Sequence, residues 1–140
     1  MKPTLRIAVT LLTLLVLGST ALTAADTPAP AKEIAAADAR KHVGERVTVQ
    51  FKVQHTKSAT NPDRVYIDSE KDYRDPKNLG VLIEADSLPA FKKAGIEKPA
   101  EHYDAKSIRI SGNLFLRDDN IFITAERTDQ IEIIKEKSKH

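Results

Sequence analysis

The chain has no cysteine and no tryptophan among its 140 residues, and only five glycines, three tyrosines and four phenylalanines. Without cysteine there is no disulfide framework, no lipid-modified cysteine behind a leader and no thiolate nucleophile. Burial alone must hold whatever fold forms, and a chain of this size is long enough for that. A surplus of one charge is missing too: Lys+Arg number 22 against 20 Asp+Glu, and Lys2 and Arg6 stand in the first few residues, so the remainder balances. Such a balance disfavours a strongly basic duplex-DNA binder, whose phosphate contacts require excess Lys and Arg. Long apolar runs are absent after the first one, Ile7 to Gly18, and that run is short of the roughly 20 residues that span a bilayer.

What stands at the N-terminus is a three-part pattern. Met1 to Arg6 carries two positive charges, Ile7 to Gly18 is almost wholly apolar, and Ser19 to Ala25 is built of small residues. This is the layout of a secretory signal at 1–25, with cleavage expected before Asp26 and export to the periplasm or beyond. Asp26 to Pro30, with two prolines, reads as a linker at 26–30. A single domain is expected over 31–135, with 136–140 a frayed tail.

Within that domain Ala31 to Lys41 is dominated by strong helix formers and ends before Gly44, which predicts an N-terminal helix. From Val47 the period becomes two. Val47, Val49, Phe51 and Val53 alternate with Thr48, Gln50, Lys52 and Gln54, the mark of a half-buried strand. Thr56 to Asp63 is rich in turn formers and reads as a loop; Val65 to Asp68 is a short second strand with Tyr66 outward, and Leu79 to Ala85 a third. Between them, the charged Glu70 to Asn78 reads as a connection. Ser87, Pro89 and Gly95 bracket a short helix, with Ser87 as its cap. Ser107 to Leu116 alternates with Ile108, Ile110, Leu114 and Leu116 on the apolar side, and Gly112 marks a bend. Arg117 to Asn120 turns the chain into Ile121–Ile123, which sets Phe115 opposite Phe122, and Gln130 to Lys135 extends the last strand.

Five strands with a helix between the third and fourth form the layout of a five-stranded Greek-key OB-fold barrel. Closure lets the apolar faces of the first, fourth and fifth strands bury one another, which an open sheet with two short helices would not achieve. The segments Ala39 to Val49, Lys106 to Gly112 and Gln130 to Ile133 also resemble exported bacterial OB-fold domains of the tRNA-anticodon-binding-like group, and Tyr66 to Asn78 looks like a stretch that recurs among small exported OB-fold proteins of unassigned role. The likeness runs from about Ile34 to Ile134 and implies a binding module.

Catalytic and metal-binding patterns are not found. His42, His55, His102 and His140 lack metal-pair spacing and read as separate surface imidazoles. Asp68, Glu70 and Asp72 begin a calcium-loop pattern, but Tyr73 stands where glycine is required and Leu79 where the bidentate glutamate belongs. No G-x-S-x-G elbow is present, so no enzyme, metal or cofactor is expected. A monomeric, non-catalytic binding module is the reading. Its ligand would lie across the outer face of strands two and three, framed by the neighbouring loops. There Lys52, Lys57, Arg64, Tyr66, Tyr73, Arg74 and Lys77 combine cations and rings, the pairing that single-stranded nucleic acid needs for phosphate contact and base stacking. Asp63, Asp68, Glu70, Asp72 and Asp75 share the region and oppose phosphate, so a mixed solvated rim competes with that reading. Phe115 with Phe122 offers a second platform, and docking of an envelope protein at a barrel edge is a third class of function.

Overall fold

The structure, a computed structural model, describes residues 31–135. The expected leader, the linker and the tail at 136–140 lie outside the described residues. In chain order the elements are β1 (Lys32–Ala35), a 3₁₀ helix (Ala36–His42), β2 (Arg46–Lys52), β3 (His55–Ala59), β4 (Arg64–Asp68), β5 (Leu79–Glu84), α1 (Leu88–Lys93), α2 (Pro99–Tyr103), β6 (Ser107–Arg117), β7 (Asn120–Thr124), a 3₁₀ turn (Thr128–Gln130) and β8 (Ile131–Ile134).

The strands pair in the order β1-β2-β6-β7-β5-β4-β3, with β8 beside β6. Only Val53 and Gln54 separate β2 from β3, so β2, next to the β1 end of this path, and β3, at its other end, belong to one bent segment. At the bend the Val53 N–H donates to the Lys106 carbonyl at 2.8 Å, toward β6, and the Gln54 N–H donates to the Asp68 carbonyl at 3.0 Å, toward β4. Consecutive amides thus face the β6 side and the β4 side of the sheet, and the bent chain itself, not a ladder, links β2 to β3.

The period-two pattern becomes the core. Val47, Val49, Val53, Ile108, Ile110, Leu114, Ile121 and Ile123 are buried, and Phe51 packs against them partly exposed. In β6 the Gly112 Cα approaches β7 so closely that a Cβ there would lie 2.6 Å from Ile123 Cγ2. Phe91 on α1 and Tyr103 on α2 join the same core, and α2 packs on β3 and β4.

Five expectations are corrected. Residues 31–41 do not form an α-helix: Lys32–Ala35 pairs parallel with Val47–Gln50, because ladder bonds and burial of Ile34 against the core outweigh alanine's helix preference, and only a 3₁₀ helix follows. The supposed loop from Thr56 contains β3, which pairs with β4 and leaves only residues 60–63 as the turn. Ser87 makes no side-chain cap bond, and α2 is a second helix after α1. The Arg117–Asn120 turn is two residues long, because Arg117 and Asn120 pair and Asp118 and Asp119 take φ of 49° and 67°, the twist that a tight hairpin requires. Leu116 keeps the alternation but is 52% exposed, one residue from the end of β6, although its partner Ile121 is buried.

Candidate functional site

The outer face of β3, β4 and β5 is set by register. Opposite each other on β3 and β4 stand His55 and Asp68, Lys57 and Tyr66, and Ala59 and Arg64. The intervening Val65 and Ile67 point into the core, so this whole polar series is driven outward by period two. The row through His55 and Asp68 continues to Gly80 on β5, Phe122 on β7 and Phe115 on β6.

Gly80 makes this row a depression. A Cβ on it would lie 2.6 Å from Phe122 Cδ1 and 3.2 Å from Asp68 Oδ1, so the absence of a side chain lets the Phe122 ring lie down against the sheet. Ring centroids then run from Tyr66 to Phe122 at 6.1 Å and from Phe122 to Phe115 at 5.9 Å. Over Tyr66 and Phe122 opens a groove of about 310 Å³, walled by Lys57 and Arg64 on one side, Arg117, Asp118 and Asn120 on the other, and Tyr73 from the loop at 69–78. Tyr73 is 51% exposed, and the Arg74 guanidinium lies over its ring at 5.6 Å.

The carboxylates sort themselves. Asp68 has a side chain only 3% exposed; its Oδ2 faces His55 Nδ1 at 3.0 Å and its Oδ1 accepts from Asn78 Nδ2 at 3.0 Å. Asn78 in turn accepts the Glu70 N–H at 3.0 Å, which anchors the start of the loop that carries Tyr73. Asp72 accepts the Arg74 amide and guanidinium, which hold its carboxyl below the usual range, and Asp75 accepts the Lys77 amide at 2.8 Å. Only Asp68 and Asp118 line the groove among the acids. Of the cations, Arg117 bonds Glu84 at 3.2 Å and lies over the Phe115 ring at 5.5 Å, whereas Lys57 and Arg64 have no ion-pair partner among the described residues.

Of the seven residues singled out from the sequence, Lys57, Arg64, Tyr66 and Tyr73 meet in the groove. Lys52 sits on β2 opposite Ser107, away from it; Arg74 lies over the Tyr73 ring without lining the groove, and Lys77 is exposed outside. Phe115 and Phe122 are not a second platform, because Phe122 bridges Phe115 to Tyr66. His55 is no isolated imidazole, and neither it nor Asp68 was identified as part of the site. Once β3 is recognised as pairing with β4, the pair follows from register alone. Among the described residues no group of three or more His, Asp or Glu is placed to hold a metal, and no helix is long and apolar enough to cross a membrane.

No protein-family model matches the chain, and no curated protein does. Solved structures match in shape. An OBody, AM3L09, bound to hen egg-white lysozyme superposes with a TM-score of 0.54 at 17% identity, covering 78% of this chain and 100% of that one. A chain of the yeast Stn1 and Ten1 structure gives 0.50 at 12% identity, over 76% of this chain and 64% of the other. A structure named as an aspartyl-tRNA synthetase from Leishmania major Friedlin gives 0.50 at 9% identity, and this chain spans 22% of its length while 80% of this chain is covered. The fold is the OB fold. At these identities the likeness concerns architecture alone, and the groove must be read from its own residues.

Proposed function

We propose that this chain is an exported, non-catalytic binding module that takes single-stranded nucleic acid across the β3–β4–β5 face. The observation that carries the reading is the groove itself: Lys57 and Arg64, cations with no ion-pair partner among the described residues, flank the rings of Tyr66 and Phe122, with Tyr73 projecting beside them. Rings offer every base a stacking face, and cations on the rim offer contacts to the phosphates between bases. Of the acids that would oppose phosphate, Asp72 and Asp75 are bonded within their own loop and Asp68 is buried between His55 and Asn78, which leaves Asp118 as the exposed acid on the groove wall among the described residues. Among the neighbours the aspartyl-tRNA synthetase acts on a nucleic acid by its name, while the OBody is bound to a protein. Cations beside rings favour the former chemistry here. Export rests on the leader pattern of residues 1–25.

The test begins with protein purified from the envelope fraction, whose mass should fall short of the full chain by the first 25 residues. Its binding to a fluorescein-labelled oligothymidylate is followed by fluorescence anisotropy as salt rises. Lys57, Arg64 and Arg117 contacting one phosphate each imply a log–log slope of about −2, from roughly 0.7 per phosphate on single strands, with micromolar affinity at low salt. An absent signal, or one indifferent to salt, removes the reading; an uncleaved protein retained in the cytoplasm removes the export part.

A further inference from the structure

We propose that His55 is a proton-dependent phosphate contact at the floor of this groove, so that the module holds single-stranded nucleic acid more tightly as pH falls. The proposal rests on the nucleic-acid reading and adds its regulation. It starts from one bond: His55 Nδ1 lies 3.0 Å from Oδ2 of Asp68. A carboxylate only accepts, so the ring hydrogen sits on Nδ1 in the neutral imidazole and the lone pair is left on Nε2. Asp68 is itself immobilised by the Asn78 Nδ2 bond at 3.0 Å and by burial, so the ring is anchored from below. His55 lines the groove with its side chain 40% exposed, and Nε2 is the nitrogen left for a ligand.

The consequence is a contact that changes sign. With a lone pair, Nε2 meets a phosphate oxygen as acceptor against acceptor. With a proton, it becomes a charged N–H donor, and such hydrogen bonds to anions are among the stronger ones available to side chains. Imidazole is the side chain that ordinarily changes charge between pH 5 and 8. The groups around it that share the groove are Lys57 on β3, Arg64, Tyr66 and Asp68 on β4, Tyr73 on the neighbouring loop, and Arg117 and Asp118 at the β6–β7 hairpin. Lys57, Arg64 and Arg117 already draw a phosphate strand in, and Asp68 offsets the added imidazolium charge. The proton on His55 therefore adds a donor without overloading the groove with charge.

The experiment measures the dissociation constant of labelled oligothymidylate at pH 5.5 and 8.0 and constant ionic strength, since thymine and the phosphodiester keep their charge between those values. The wild-type protein should bind about tenfold more tightly at pH 5.5, as expected for one gained charge-assisted hydrogen bond. His55→Gln should change less than about twofold between the two values, whatever its affinity at pH 8.0, while His102→Gln, on α2 and outside the groove, keeps the full response. A second readout needs no variant: the His55 Nε2 resonance of the wild-type protein should shift when oligonucleotide is added at pH 5.5. Binding that is flat with pH, an unchanged pH response in His55→Gln, or an unmoved Nε2 resonance overturns this proposal and leaves the nucleic-acid reading intact. No binding at either pH overturns both.

Discussion

Tyr103 shows how a single buried residue writes itself into the stability of the barrel. It sits on α2, 2% exposed within the core, and burial pushes its phenol up to about 12. An unfolded chain releases that proton near pH 10, two units before the folded one does. Below pH 10 both states hold the proton and pH has no leverage through this group. From pH 10 to 12 the unfolded state alone binds fewer protons, so stability falls as pH rises. Tyr103→Phe removes the linkage: urea unfolding of the wild type should lose about 1 kcal/mol relative to the variant between pH 9 and 11. Parallel profiles for the two proteins would show that Tyr103 ionises in the folded state as freely as in the unfolded one.

At the scale of elements, the N-terminal 3₁₀ helix is a clasp. Arg40, within Ala36–His42, donates its Nε to the Pro76 carbonyl at 3.1 Å and its Nη2 to the Asp119 carbonyl, so one side chain ties the loop at 69–78 to the β6–β7 hairpin. Those are two walls of the groove. Arg40→Ala should cost about 1 kcal/mol, which for a domain of this size lowers Tm by several degrees; Arg40→Lys should not restore it, because an ammonium lacks the guanidinium fork. An unchanged Tm in both variants would make the clasp ornamental. This element was not legible in the sequence. Alanine-rich 31–41 carries helix propensity but no trace of its partner, and the pairing with β2 that decides its conformation is non-local. β6 lies at the other extreme: Ile108, Ile110 and Leu114 alternate so regularly that strand, face and the Phe115–Phe122 register could be read directly. β3 was hidden because Thr56 and Ser58, which pair with the core residues Ile67 and Val65, are not apolar, so no period-two signal marks the strand that carries His55 and Lys57.

For the molecule as a whole, barrel closure brings the site together. The segment that starts as β2 in the core ends as β3 on the rim of the groove, and β7 arrives parallel to β5 to lay Phe122 over Gly80. The fold's logic was readable from alternating residues, and so was half the site: Lys57, Arg64, Tyr66 and Tyr73 were visible as outward cations and rings. His55 with Asp68, and Phe122 with Tyr66, exist only once the strands pair, since partners 13 residues or more apart leave no local pattern. The central claim is that this face, through its rings, holds a single strand of nucleic acid. It is tested most directly by the dissociation constant of labelled oligothymidylate for the wild type against Tyr66→Ala and Tyr73→Ala, each checked for an unchanged fold by circular dichroism. Loss of a stacking ring is worth about 1–3 kcal/mol, so each variant should bind about tenfold or more weakly; affinities within twofold of the wild type would contradict the claim.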